Sequence, residues 1–163
     1  MAHNRLIEGE ELSSANPRVI RHWVVIYSEL VSCQEHLAET LADGGVEQLR
    51  PHLDRSRKRL NFWRSRLLEV EGLDVDPRRM TLRHGESSVR LTGRELQLLR
   101  FLLDHPNQRC TSDALLREAW RKPWLAREEV RTYISRVRAK LAAVGAPCEI
   151  RTEIGQGYAL VWR

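Results

Sequence analysis

The sequence predicts an α+β chain in two parts. An antiparallel, coiled-coil-like helical hairpin comes first, and a small antiparallel sheet, three helices and a glycine-cornered β-hairpin follow it. Three observations carry that prediction. Two apolar stripes at spacings of three and four flank Asp43-Gly44-Gly45, three shorter amphipathic runs follow from Thr92 onward, and the chain closes on Gly155-Gln156-Gly157-Tyr158.

Residues 1–16 are polar, with Glu8, Glu10 and Glu11 close together, and read as a flexible or loosely docked arm. Asn16-Pro17 is a cap followed by a first-turn proline, and from there Ile20, Val24, Tyr27, Val31, Ala38 and Leu41 recur at helical spacing, with Trp23, Leu30 and Leu37 widening the stripe. Asp43-Gly44-Gly45 is expected to stop this helix. The second stripe runs through Val46, Leu49, Leu53, Leu60, Trp63, Leu67 and Val70 with one gap at Ser56. Pro51 places the start of that helix near Arg50, or a kink there. Between the seam positions lie Arg55, Arg57, Lys58, Arg59, Arg64 and Arg66, which read as a solvated or dimer-flanking face, with a nucleic-acid stripe as the alternative.

Two helices alone cannot enclose Trp23, Tyr27, Phe62 and Trp63, so residues 17–71 are expected to be covered by something else: a second copy of the chain is the economical answer, and the C-terminal domain or a different protein are the alternatives. The residues assigned to that homodimer are Ile20, Trp23, Val24, Tyr27, Val31, Leu53, Leu60, Trp63 and Leu67.

Residues 72–163 form the second part. Leu73–Val75, Met80–Arg83 and Ser88–Leu91 read as short strands separated by Pro77 and the His84-Gly85-Glu86 turn. Thr92 with Glu95 is a capping box that opens a core helix through Leu96, Leu98, Leu99, Leu102 and Leu103. Ser112 is expected to cap the next helix, which runs to Trp120. In the third, Val130, Ile134, Val137, Leu141 and Val144 form the inward stripe. Rotation about the helix places Thr132, Ser135, Arg136 and Ala139 opposite, with Arg131 and Arg138 on one flank and Lys140 on the other. Three helices followed by such a hairpin describe a winged helix, and small residues beside arginines on its third helix suit a major groove.

Charge agrees with that placement. The net charge is +5, but residues 1–72 hold ten Lys and Arg against eleven Asp and Glu, whereas residues 73–163 hold seventeen against eleven. The basic excess therefore belongs to the second part and favours a polyanion there. Three cysteines at unrelated spacings suggest no disulfide framework, and the Cys33–His36 pair lacks a compact third ligand, so no metal or other cofactor is expected. Gly155-Gln156-Gly157 leads into a strand rather than a helix, so it is no phosphate loop, and enzymatic activity is not expected. Without an apolar run near 20 residues or a signal segment, the chain is expected to be cytoplasmic with no membrane partner.

Leu91-Thr92-Gly93-Arg94-Glu95-Leu96-Gln97-Leu98-Leu99, His105-Pro106, Ser112–Trp120, Val130–Leu141 and Ile150-Arg151-Thr152 through Gly157-Tyr158 together resemble the C-terminal effector domain of OmpR/PhoB-type response regulators. The resemblance covers about ninety residues and implies a four-stranded sheet before the three helices, a third helix in the major groove and a wing on the neighbouring minor groove. It implies base reading by Thr132 and Arg136, phosphate contacts from Trp120, Arg138 and Thr152, and a wing buttressed by Tyr158. Arg127, Arg131, Ser135, Lys140, Arg151 and Gln156 complete the DNA-facing set.

This sequence departs from the family's pattern at several of these positions. Arg131 stands where an aspartate is usual, Ser135 where an arginine is, Glu128-Glu129 where Arg-Thr is, and Glu153-Ile154 where an apolar residue and an arginine are. The three glutamates oppose the release of counterions that drives phosphate binding. The 72 residues that precede the winged helix lack the β/α alternation of a receiver domain, so direct phosphorelay control is not expected. Two functions compete. One is a dimeric transcriptional regulator bound to double-stranded DNA. The other is an adaptor whose winged helix binds a protein such as RNA polymerase or another regulatory protein, and Glu128, Glu129 and Glu153 are its sequence support.

Overall fold

A computed structural model describes residues 6–41 and 43–163, which divide into two compact units with the boundary between Val70 and Glu71. In the first unit, α1 (Pro17–Thr40) starts where Asn16 accepts the N–H of Arg18, with Pro17 in the first turn where no amide partner is needed. Leu41 closes it, its N–H bonded to Leu37 O. Helix α2 (Asp43–Val70) already includes Asp43, Gly44 and Gly45, so these residues open the second helix instead of stopping the first. A Cβ on Gly45 would lie 3.3 Å from the Leu41 side chain, so the glycine serves the tight corner between the helices. Pro51 lies inside α2 and neither starts nor ends it.

The helices pack along the expected stripes, with Trp23 and Trp63 stacked at 6.2 Å and 16°. The polar arm supplies a third side. Glu10 is buried, and its carboxylate accepts Tyr27 Oη at 2.8 Å, Trp63 Nε1 at 2.7 Å and the N–H of Ile7 at 3.2 Å, with Arg59 beside it at 3.4 Å. Arg66 also reaches Ser14 O. Two expectations are corrected here. Residues 6–16 are not loosely held at Glu10. And Ile20, Trp23, Val24, Tyr27, Val31, Leu53, Leu60, Trp63 and Leu67, assigned to a dimer interface, are buried within one chain. The physical reason is the same for both: a buried carboxylate has to be satisfied, and the tyrosine hydroxyl and indole N–H that satisfy it draw the arm over the aromatic residues.

The second unit opens with a meander of three antiparallel strands, β1 (Leu73–Asp76), β2 (Thr81–His84) and β3 (Ser87–Arg90), paired Leu73↔His84 and Thr81↔Arg90. Three strands stand where the resemblance implied four. Met80 is left out of β2 because it takes a left-handed backbone with φ 54°, and its carbonyl accepts the N–H of Leu91. Helix α3 (Gly93–Asp104) carries the full capping box between Thr92 and Glu95. Thr111, not Ser112, caps α4 (Ser112–Ala114), because its extended backbone aims its hydroxyl oxygen at the N–H of Ala114. A π-helical turn, Leu115–Ala119, continues α4 and closes with Trp120 N–H on Leu115 O.

Helix α5 (Arg127–Ala143) buries Val130, Ile134, Val137 and Leu141 against this core, and β4 (Cys148–Glu153) and β5 (Gly157–Trp162) form the final hairpin. Its register sets Thr152 opposite Tyr158 and Glu153 opposite Gly157. Among the described residues, no helix is long and apolar enough to cross a membrane.

Candidate nucleic-acid interface

The inward stripe of α5 decides what its other face shows. With Val130, Ile134 and Val137 held in the core, Glu128, Arg131, Thr132, Ser135, Arg136 and Ala139 are exposed. Arg131 has no hydrogen bond or ion pair among the described residues. Arg136 lies over the ring of Tyr133, 5.1 Å from its centroid, so its guanidinium is pre-positioned on the helix surface. The Thr132 hydroxyl donates to Glu128 O at 3.1 Å, leaving its methyl and oxygen lone pairs for a partner.

Other basic residues assigned to DNA are engaged inside the protein. Arg138 donates through Nε to Ile150 O at 2.8 Å and through Nη2 to Thr152 Oγ1 at 2.7 Å, which locks α5 to the hairpin. Arg127 forms a two-armed pair with Asp113, and Arg151 pairs with Glu149 at 2.7 Å. All three arginines keep part of their surface in water.

Lys140 and Trp120 are corrections. Lys140 Nζ donates to Glu95 Oε2 at 2.6 Å and to Arg90 O at 2.5 Å, so its ammonium ties α5 to α3 and β3 instead of facing a phosphate. Glu95 is buried, and burial pushes its carboxyl up. The Lys140 ammonium and the Thr92 N–H outweigh that and hold it below the usual carboxylate range. Trp120 is buried edge-on to Tyr133 at 5.2 Å, and its indole N–H is spent on Arg94 O at 3.0 Å.

Arg94 was not among the residues assigned from sequence. It lies 5.9 Å from the Trp120 ring and 5.7 Å from the Tyr133 ring, and it pairs with Glu129. No local pattern marks such a residue, because its partners are 26 and 35 positions away. Arg109, also missed, pairs with Glu153 at the turn end of the hairpin. Two of the three acidic departures are thus neutralised within the fold. Glu128 and Glu129 also lie in the first turn of α5, where a negative charge stabilises the helix dipole.

The hairpin tip exposes Ile154 and Gln156, with Gln156 N–H on Glu153 O at 2.9 Å closing the turn. Tyr158 is half-buried and exchanges both backbone hydrogen bonds with Cys110, so it secures the wing through its main chain. That approach needs Gly157. Its φ is 107°, and a Cβ there would stand 2.2 Å from Cys110 O.

A model for the family "Transcriptional regulatory protein, C terminal" matches residues 85–160. The uncharacterized transcriptional regulatory protein YkoG of Bacillus subtilis (strain 168) is 33% identical over 94 residues, 57% of this chain and 41% of that protein. The phosphate regulon transcriptional regulatory protein PhoB of Escherichia coli (strain K12) is 28% identical over 93 residues, 56% of this chain and 41% of that protein. The chain therefore spans about four tenths of the length of these curated relatives. Among solved structures, the C-terminal domain of the nisin resistance regulator NsrR, a lantibiotic response regulator, superposes with a TM-score of 0.50 at 26% identity, covering 56% of this chain and 94% of that domain. Residues 85–160, from the turn before β3 to the last strand, match that family's model and share the winged-helix fold of that response-regulator domain.

Proposed function

We propose that this chain is a DNA-binding transcriptional regulator, with α5 in the major groove and the β4–β5 hairpin on the adjacent minor groove. The observation that carries this reading is the exposed face of α5. Arg131, without a partner among the described residues, and Arg136 laid along Tyr133 flank the small residues Thr132 and Ser135, an arrangement that lets two guanidinium groups reach guanine edges while the backbone comes close. Arg127, Arg138 and Arg151 supply positive charge around it. The internal pairing of Glu129 and Glu153 removes most of the repulsion that favoured a protein-binding adaptor.

Site selection with the purified protein at two salt concentrations tests this. Arg131→Ala and Arg136→Ala are each expected to weaken the selected site by roughly 5- to 150-fold, equivalent to about 1–3 kcal/mol, and random DNA by less. Affinity that does not respond to salt would sink the reading.

We further infer that two chains act together on paired half-sites through their hairpins. The nine buried residues face the interior of one chain, and the support is instead the exposed apolar residues Val19, Val25 and Leu37 on α1 and Leu41 at its C-cap. A Leu37→Glu, Leu41→Glu chain is expected to sediment as a monomer at concentrations where the unaltered chain is a dimer. Identical sedimentation of the two removes the inference.

A further inference from the structure

The first unit contains a groove that the DNA-binding reading does not use. It lies on one side of the hairpin and has a volume of about 600 Å³. Cavities of roughly 300–1,000 Å³ with apolar walls and a few placed polar groups are the size class of small-molecule sites. Ile7, Leu30 and Phe62 give this one an apolar lining, and Arg55, Lys58 and Arg59 give it a cationic rim.

The charge of the rim is one-sided. Among the described residues no carboxylate lines the groove, and the nearby Glu10 is already committed to Tyr27, Trp63 and Arg59. Among the described residues, Arg55 bonds Pro51 O and His52 Nδ1 and no carboxylate, and Lys58 has no ion pair. A second observation points into the same space. Gln34 lines the groove with its side-chain oxygen buried and without a hydrogen-bond partner among the described residues. Ser56, another lining residue, is buried there as well. An apolar wall, two uncompensated cations and an unpaired amide end together match one kind of occupant.

We propose that this groove binds an amphipathic organic anion, an aromatic or medium-chain acid. Its apolar body lies on Ile7, Leu30 and Phe62, its acid group meets Arg55 and Lys58, and a donor on the body satisfies Gln34. Every residue involved belongs to the first unit, so the proposal stands or falls independently of DNA binding.

The test uses two fluorescent probes on the full chain: 1-anilinonaphthalene-8-sulfonate, an aromatic anion, and N-phenyl-1-naphthylamine, its uncharged counterpart. The unaltered chain should bind one sulfonate probe per chain. Arg55→Glu with Lys58→Glu, both on the exposed rim, should weaken the sulfonate probe about tenfold or more and change the neutral probe by no more than about twofold. Phe62→Ser should weaken both, with the helical circular dichroism retained. Equal responses of the two probes to the charge reversal would reduce the groove to generic apolar surface and overturn the proposal. Multiple probes per chain would have the same meaning. If Phe62→Ser instead converted a sedimenting dimer to monomer, a second copy would be the occupant and the small-ligand assignment would fall.

Discussion

Lys140→Met separates two roles for one cation. As a phosphate contact, Lys140 would contribute about one unit to the slope of log affinity against log salt, and its loss would leave the fold alone. The structure gives it a different role. Its ammonium lies 2.6 Å from Glu95 Oε2 and 2.5 Å from Arg90 O, and the Glu95 side chain is only 3% exposed. Removing one partner of a fully buried ion pair costs about 3–5 kcal/mol. The Lys140 side chain is 27% exposed and Glu95 keeps the Thr92 N–H, so water can replace the ammonium in part and the expected cost falls to about 1–3 kcal/mol.

Native-state hydrogen exchange of the α5 amides at pH 7 reads that cost directly, as exchange faster by roughly 5- to 150-fold. A salt titration of DNA binding on the same variant should show an unchanged slope. A slope reduced by about one with unaltered exchange would refute the internal role. The acid dependence has a definite sign. Because the Glu95 carboxyl is held low in the folded state, its stabilisation is complete above the unfolded value of about 4.3 and is lost as the pH falls through the lower folded value. Without the ammonium the folded value rises toward the unfolded one, so the variant should lose stability at a higher pH than the unaltered chain.

Two other perturbations probe the remaining supports. Gly157→Ala places a methyl into Cys110 O and should break the Cys110–Tyr158 bridge, seen as loss of amide protection at those two residues and weaker DNA binding with α5 intact; retained protection would show that the strand gives way without cost. Glu10→Leu strands the Tyr27 hydroxyl and the Trp63 N–H in an apolar setting and should destabilise the first unit by about 2–4 kcal/mol in urea, read by near-ultraviolet circular dichroism of the stacked Trp23–Trp63 pair. The same substitution should lower the Tyr27 phenol, which burial first and the Glu10 carboxylate second hold above its usual range. An unchanged tyrosinate titration would place the cause elsewhere.

The features legible in the residues alone are local and periodic. The capping box at Thr92 and Glu95, the Asn16-Pro17 helix start, the inward stripe of α5 and the glycine corner of the wing depend on residues within about a turn of one another, and each appears where the spacing put it. The exposed face of α5 follows from the same periodicity, which is why Arg131, Thr132, Ser135 and Arg136 were legible as a group.

Which charges and polar groups meet across distance depends on the folded chain. A stripe of arginines, lysines and glutamates has no sign of its own until folding pairs Lys140 with Glu95, Arg94 with Glu129 and Arg109 with Glu153, and partners 35 to 45 positions apart leave no periodic trace. The arm shows this most plainly. By composition it reads as solvated, yet Glu10 is buried because Tyr27 and Trp63, 17 and 53 positions away, offer donors in one place, and burial without them would have cost more than the fold could recover.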